Sequence, residues 1–131
     1  MAKGFRVDIV TRERTVLSKD VVSLVAPGVE GYLGVRAGHA PLMTELTVGK
    51  ITLRDPRGEE ERLALSGGFL EVRPDHTTVL AETAERPGEI DADRARQAAE
   101  RARARLGGDE SVDLVRARLA LMRALNRLDL A

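Results

Sequence analysis

The chain has 131 residues, and its 21 Lys and Arg balance 21 Asp and Glu, so the formal net charge is zero. That balance argues against a nucleic-acid-binding protein, which would present a strongly basic surface. The absence of cysteine excludes disulfides and thiolate metal sites, and it fits a reducing compartment. No stretch approaches the roughly 18 apolar residues of a membrane span, and the N-terminus lacks a signal-peptide core. We therefore expect a cytoplasmic protein without direct membrane insertion.

The first 86 residues predict a β-sandwich of about ten short strands. Phe5, Val7 and Ile9 alternate with less apolar residues, which is the period of a half-buried strand. Turn signals such as Pro27-Gly28 and Pro74-Asp75 recur between further apolar runs of similar length. Since the chain has only three aromatic residues, we expect Val, Leu and Ile to build the core.

Two adjacent glycines, Gly67 and Gly68, resemble a phosphate-binding loop at first sight. The Lys and the following helix of such a loop are absent, so the pattern favours a bulge or a tight turn. We expect this point to separate a strand over 62–66 from a strand over 68–73.

The segment from Gly31 to Gly49 contains the candidate ligand His39. Three glycines within eight residues, followed by Pro41, predict a loop of defined shape. The only other histidine is His76, and no cluster of acids stands at ligand spacing, so a structural role for His39 is favoured over a ligand role. No metal site is expected.

The residues after Pro87 predict helices, which sets a domain boundary between 1–86 and 87–131. Asp91 is a candidate N-cap for a helix over 92–106, and Gly107-Gly108 would end it. One side of this helix carries a stripe of small residues that buries little area, so we expect close but weak docking. The stripe consists of Ala95, Ala98, Ala99, Ala102 and Leu106.

A second helix is predicted from Val112 to about Leu128, with its N-cap within 109–111. The short connection makes the two helices an antiparallel hairpin, which gives an α+β fold that is mainly β at its N-terminus. Four arginines face a single acid, Asp113, on this helix, so an anionic or acidic partner is expected to meet the hairpin. No general base or nucleophile has a partner motif, and we expect a protein that is not an enzyme.

Four motifs in order closely resemble the epsilon subunit of bacterial and chloroplast F-type ATP synthases. They are GVRAGHAPL at 34–42, SGGFLEV at 66–72, AER at 84–86 and LALMRALNRL at 119–128, and the resemblance covers nearly the whole chain.

This resemblance implies a non-catalytic rotor subunit of the central stalk, which couples the catalytic head to the membrane. The sandwich would bind the gamma subunit and the c-ring, at a surface that includes Gly34, His39, Pro41 and Leu42. The hairpin would either fold against the sandwich or extend into the head, contact the alpha and beta subunits and block ATP hydrolysis. The arginines implied in that inhibitory contact with the beta subunits are Arg116, Arg118 and Arg123.

Some bacterial members of this family also bind ATP through a motif Ile-Asp-x-x-Arg-Ala, which is intact here at 90–95. By resemblance, ATP is a regulatory ligand that stabilises the folded hairpin, and no cofactor is required. The implied ATP-binding residues are Glu85, Ile90, Asp91, Arg94, Ala95, Arg101, Arg123 and Arg127. Without a ligand, Asp91 would simply cap the helix and pair with Arg94.

The resemblance also implies a location, and one alternative to it stays open. The implied location is the cytoplasmic face of the bacterial plasma membrane, as a peripheral protein of the synthase complex. The alternative to a synthase subunit is a free-standing ATP-sensing interaction module, which would bind ATP without binding gamma.

Overall fold

A computed structural model describes residues 3–108 and 113–131. Eight strands are followed by one 3-10 turn and two helices, α1 and α2. The strands are β1 (Phe5–Val10), β2 (Thr15–Val21), β3 (Ser23–Gly28), β4 (Gly31–Val35), β5 (Leu42–Arg54), β6 (Glu60–Val72), β7 (His76–Ala81) and β8 (Ala84–Glu85). The 3-10 turn spans Pro87–Glu89, and the helices span Ala92–Gly108 and Leu114–Leu130.

The strands form one folded sheet in the order β2-β1-β7-β6-β5-β3-β4, and β8 pairs with β6. The β1–β7 pair is parallel, and the other pairs are antiparallel. This β-sandwich with a C-terminal helical hairpin confirms the predicted fold class. It has eight strands rather than about ten, and β6 continues for 13 residues through the break predicted at Gly67. The loop predicted from Gly31 to Gly49 is also too long, because β4 spans Gly31–Val35 and β5 begins at Leu42, which leaves only residues 36–41 as a loop.

The core confirms the prediction of an aliphatic interior. Its largest fully buried side chains are Leu, Ile and Val residues, and Phe5 is the buried aromatic, whereas Tyr32 and Phe69 are exposed. An aliphatic core can be packed densely because these residues have few rotamers.

The predicted strand break at Gly67 and Gly68 is wrong. Strand β6 runs through both glycines, which have φ values of 123° and 145° and so adopt a conformation that other residues rarely take. Here β6 changes partners: Leu65 pairs with Ala84 of β8, and Gly68 pairs with Ala81 of β7. A Cβ atom on Gly68 would lie 2.1 Å from the carbonyl oxygen of Leu80, which explains why glycine occupies the position where β6 changes partners.

The N-cap of α1 is Asp91, as predicted, because its Oδ1 accepts a hydrogen bond from the backbone N–H of Arg94 at 3.1 Å. The helix extends to Gly108 instead of ending at Leu106. The predicted cap of the second helix and its first residue, 109–112, lie outside the described residues. Within the described part, Asp113 caps α2 by accepting from the backbone N–H of Arg116.

The alanine stripe of α1 packs against α2, and α2 supplies the main contacts of the hairpin with the sheet, at β5 and β6. Ala95, Ala99 and Ala102 of α1 are buried, as are Ala117 and Ala124 of α2. Small side chains on both helices allow close approach but bury little apolar area. The stripe of small residues on α1 therefore joins the two helices to each other. A different set of contacts, made mainly by α2, holds the hairpin on the sandwich.

Candidate functional site

A cavity of about 550 Å3 lies where α2 meets the sandwich. Its sheet side consists of residues 11–14, Val16, 64–66 and 82–85, and its helix side consists of Arg123, Asn126 and Arg127. We call it the hairpin cavity. Its volume is in the range of small-molecule sites, and charged groups line both sides.

The polar contacts between α2 and the sandwich are concentrated in the last two turns of the helix. The Asn126 amide Nδ2 donates to the carbonyl oxygens of Gly49 at 2.9 Å and Leu65 at 3.2 Å. Asp129 lies about one helical turn after Asn126, and its carboxylate is 2.5 Å from the Lys50 ammonium. These contacts reach both long strands, so they fix the C-terminal half of α2 on the sheet.

The Arg127–Glu85 ion pair forms part of the wall of the hairpin cavity. Arg127 Nη2 donates to Glu85 Oε2 at 2.8 Å, and Nε lies 2.7 Å from Oε1 without a well-aligned hydrogen bond. The two side chains are only 30% and 25% exposed, so this pair is better shielded from solvent than the other ion pairs of the hairpin. It joins α2 directly to β8.

A second group of ion pairs joins the segment after β8 to the sandwich. Glu61 accepts from Arg86 at 2.7 Å and from Lys19 at 3.2 Å, and Arg14 pairs with Glu89 at 3.1 Å. The Glu89 carboxylate also accepts from the backbone N–H of Arg86. The start of the hairpin is therefore attached through charge, as is the end of α2.

The pKa values of three carboxyl groups record these contacts. Partial burial raises the pKa of Glu61, but hydrogen bonds from Arg86 and Lys19 outweigh burial and leave it below its ordinary value. The backbone N–H of Arg86 lowers the pKa of Glu89, and Lys50 lowers the pKa of Asp129. All three pKa values are lowered because the contacts of each group in the fold favour its charged form.

The structure brings together three of the eight predicted ATP-binding residues. Glu85, Arg123 and Arg127 line the hairpin cavity. The other five, which belong to the 90–95 motif or to α1, do not line it: Ala95 is buried in the hairpin, Ile90 is half-buried, and Asp91, Arg94 and Arg101 are exposed. Asp91 serves as the N-cap, which was the ligand-free interpretation of this residue.

The four residues predicted for the stalk and c-ring interface lie close together in the chain. Gly34 is in β4, His39 and Pro41 lie between β4 and β5, and Leu42 begins β5. The Nδ1 atom of His39 lies 2.7 Å from the carbonyl oxygen of Ala40, which is a local contact. Of the arginines predicted for inhibition, Arg116 and Arg118 are exposed on α2, and Arg123 borders the hairpin cavity.

Met43, Phe69 and Leu80 form an exposed apolar patch on the outer face of β5, β6 and β7. Met43, Phe69 and Leu80 are 68%, 52% and 53% exposed, and they border a shallow cavity of about 510 Å3. The register pairs Phe69 with Leu80, so these two side chains lie next to each other. Strand periodicity in the sequence separated the residues of the two strand faces, but it did not show which apolar residues would be exposed to solvent.

The sequence pattern did not identify Asn126 and Lys50 as residues that attach α2 to the sheet. Asn126 is the only asparagine of the chain, and it stands among leucines on the apolar side of α2. A single amide in such a position predicts a buried hydrogen-bond partner, because an unsatisfied amide there is costly. The sequence therefore indicated that Asn126 has a hydrogen-bond partner, but it did not indicate that the partners lie in β5 and β6.

Comparison with known proteins accounts for nearly all of this chain. Residues 4–87 match the model described as ATP synthase, Delta/Epsilon chain, beta-sandwich domain, and residues 89–131 match the corresponding long alpha-helix domain. The chain belongs to the ATP synthase Delta/Epsilon chain family. This assignment confirms the resemblance found in the sequence, and with it the prediction of a non-catalytic subunit of a synthase complex.

Several relatives are similar over most of their length. The chain is 51% identical to an ATP synthase epsilon chain of Moorella thermoacetica, covering 98% of this chain and 96% of that protein. It is 48% identical to the epsilon chain of Shouchella clausii, with 96% and 93% coverage. A chain in the OSCP/F1/c-ring structure of the Euglena gracilis mitochondrial ATP synthase matches with a TM-score of 0.83 and 25% identity, covering 96% of this chain and 79% of that one. None of the described helices is long and apolar enough to cross a bilayer.

Proposed function

We propose that this subunit belongs to the central stalk, that its hairpin inhibits ATP hydrolysis, and that ATP stabilises the folded hairpin. The observation that carries the proposal is the hairpin cavity, which has arginines on α2 and charged groups on the sandwich. A ligand bound there would contact both domains, so its binding would favour the folded arrangement over an extended one.

The stalk partners are proposed to bind the sandwich. The exposed patch of Met43, Phe69 and Leu80 has the character of a protein-binding surface, since contiguous apolar side chains on a subunit are usually covered in its complex. We assign the gamma subunit to this patch, and gamma together with the c-ring to the adjoining segment of Gly34, His39, Pro41 and Leu42.

The hairpin is proposed to contact the alpha and beta subunits when it extends. In the folded arrangement α2 leaves apolar side chains exposed, among them Leu114, Val115 and Leu119, next to the exposed Arg116 and Arg118. Such a surface suits an acidic partner with apolar contacts. Because few polar contacts hold α2 on the sheet, the folded and extended arrangements can differ by only a few kcal/mol.

The regulatory ligand is proposed to be ATP, with no other cofactor. Arg123 and Arg127 suit phosphate groups, because guanidinium ions bind phosphate oxygens in paired hydrogen bonds. Glu85 is proposed to contact the adenine ring. We retain Ile90, Asp91, Arg94, Ala95 and Arg101 as part of the proposed ATP site.

The proposed location follows from attachment to the synthase: the cytoplasmic face of the bacterial plasma membrane, where the subunit is peripheral. The alternative, a free-standing ATP-sensing module, differs in one observable. A stalk subunit co-purifies with gamma, whereas a free-standing module binds ATP and does not.

The inhibitory role predicts that replacing both Arg116 and Arg118 by Ala weakens inhibition about thirtyfold, because each exposed guanidinium loses a charged contact worth about 1 kcal/mol. ATP hydrolysis is measured in a complex of alpha, beta and gamma titrated with the subunit. The matched control replaces Arg103 and Arg105, two exposed arginines on α1, and should inhibit as the unchanged subunit does. Equal inhibition by all three proteins would contradict the assignment of these arginines.

A further inference from the structure

The turn between β1 and β2, residues 11–14, forms part of the wall of the hairpin cavity on the sandwich side. Its backbone is closed by a hydrogen bond from the Thr11 N–H to the Arg14 carbonyl oxygen at 2.9 Å, and the Thr11 hydroxyl accepts from the Arg14 N–H. The turn therefore has a defined backbone conformation, which places Arg12 in the lining of the cavity. Neither the sequence motifs nor the family resemblance assigned any role to this turn.

The four arginines of the hairpin cavity differ in how far they are already neutralised. Arg127 pairs with Glu85, and Arg14 pairs with Glu89. Arg12 and Arg123 have no ion-pair or hydrogen-bond partner of their side chains within residues 3–108 and 113–131. One guanidinium without a partner thus comes from each domain, Arg12 from the sandwich and Arg123 from α2.

The other groups that line the hairpin cavity limit which ligand could bind to Arg12 and Arg123. The carboxylates of Glu13 and Glu82 also line the cavity, so a small inorganic anion gains less there than in a purely basic site. Val16 and Leu65 add apolar surface. This mixture suits a molecule that combines phosphates with a planar group carrying hydrogen-bond donors, as a nucleoside triphosphate does.

We infer that Arg12 binds the phosphate chain of a nucleoside triphosphate from the sandwich side, opposite Arg123 on α2. This inference rests on the proposed function, and it adds a contact from the first 86 residues to a site otherwise assigned to β8 and the hairpin. Phosphates held by arginines of both domains connect them, and so bound nucleotide opposes release of α2. Arg14, through Glu89, positions the turn.

The test is calorimetric titration of the whole chain with ATP, and separately with inorganic tripolyphosphate. Arg12→Gln is compared with Arg123→Gln and with the control Arg57→Gln, which removes one exposed charge from the β5–β6 turn away from the cavity. We expect Arg12→Gln to weaken ATP binding about tenfold, the loss of one charge-assisted hydrogen bond, and to weaken tripolyphosphate binding likewise. Arg57→Gln should change either affinity less than twofold.

The outcomes separate this inference from the proposed function. Unchanged ATP affinity in Arg12→Gln, together with a loss in Arg123→Gln, would overturn the role of Arg12 and leave the nucleotide site standing. If Arg12→Gln and Arg57→Gln weaken ATP binding equally, the effect comes from long-range charge, and the role of Arg12 would also be overturned. If the unchanged chain binds no ATP at millimolar concentration, both the inference and the nucleotide site are wrong.

Discussion

Replacing Gly68 by Ala should destabilise the sandwich by about 3 kcal/mol or more, the largest effect we expect from any single methyl group in this chain. At φ 145° the alanine Cβ would lie 2.1 Å from the Leu80 carbonyl oxygen and 2.9 Å from the Ala81 Cα. Both atoms belong to the backbone of β7, the strand that pairs with Gly68, so relief requires the strands to separate. Urea unfolding followed by circular dichroism measures the change.

Two other glycines provide matched controls for this prediction. Gly67 has a positive φ of 123°, but an added Cβ finds its nearest atom at 3.5 Å, so Gly67→Ala should cost about 1 to 2 kcal/mol from backbone strain alone. Gly34 has an ordinary φ and open space around it, and Gly34→Ala should be nearly neutral. A Gly68→Ala chain as stable as Gly34→Ala would show that β6 does not pair with β7 at Gly68 as described.

Replacing Arg127 by Ala should weaken docking of the hairpin on the sandwich by about 2 kcal/mol, which lowers the ratio of docked to undocked chains about thirtyfold. Removing one partner of a fully buried pair costs more, but these side chains are a quarter to a third exposed, which reduces the penalty. Glu85 is left at the cavity wall without its partner, and a proposed phosphate ligand is lost as well. Docking is measured as energy transfer between dyes on the sandwich and on α2.

A double-mutant cycle separates the ion pair from general damage to the helix. If the pair carries the effect, Arg127→Ala adds little in a chain that already has Glu85→Ala. Arg103→Ala removes an exposed arginine from α1 and should leave docking unchanged. Equal effects of Arg127→Ala with and without Glu85 would mean that this pair does not hold the hairpin.

Local patterns in the sequence were sufficient for much of the fold. Strand alternation, the cap at Asp91 and the small stripe of α1 depend on residues within a few positions of one another, and the structure shows all three. The strand break predicted at Gly67 was wrong for a physical reason. Glycine marks an unusual conformation, but whether the strand ends there depends on β5, β7 and β8, which pair with β6 on either side.

The candidate site was less accessible to sequence reasoning, because it is assembled from distant segments. Asn126 donates to carbonyls that lie 77 and 61 residues earlier, and backbone acceptors carry no residue signature. Arg12 belongs to a turn whose composition resembles an ordinary solvated loop. The family resemblance placed Arg123, Arg127 and Glu85 at one site, and the geometry shows that these three line a common cavity.

The most direct test of a hairpin held folded by ATP is a distance measurement during an ATP titration. The absence of cysteine allows dyes to be attached at Asp75→Cys on the sandwich and Val115→Cys on α2, both exposed positions. We predict that ATP shifts the chain to the short-distance population with a midpoint equal to its calorimetric dissociation constant, and that GTP does so less well. Saturating ATP that binds but leaves the distances unchanged, or that lengthens them, would contradict the account.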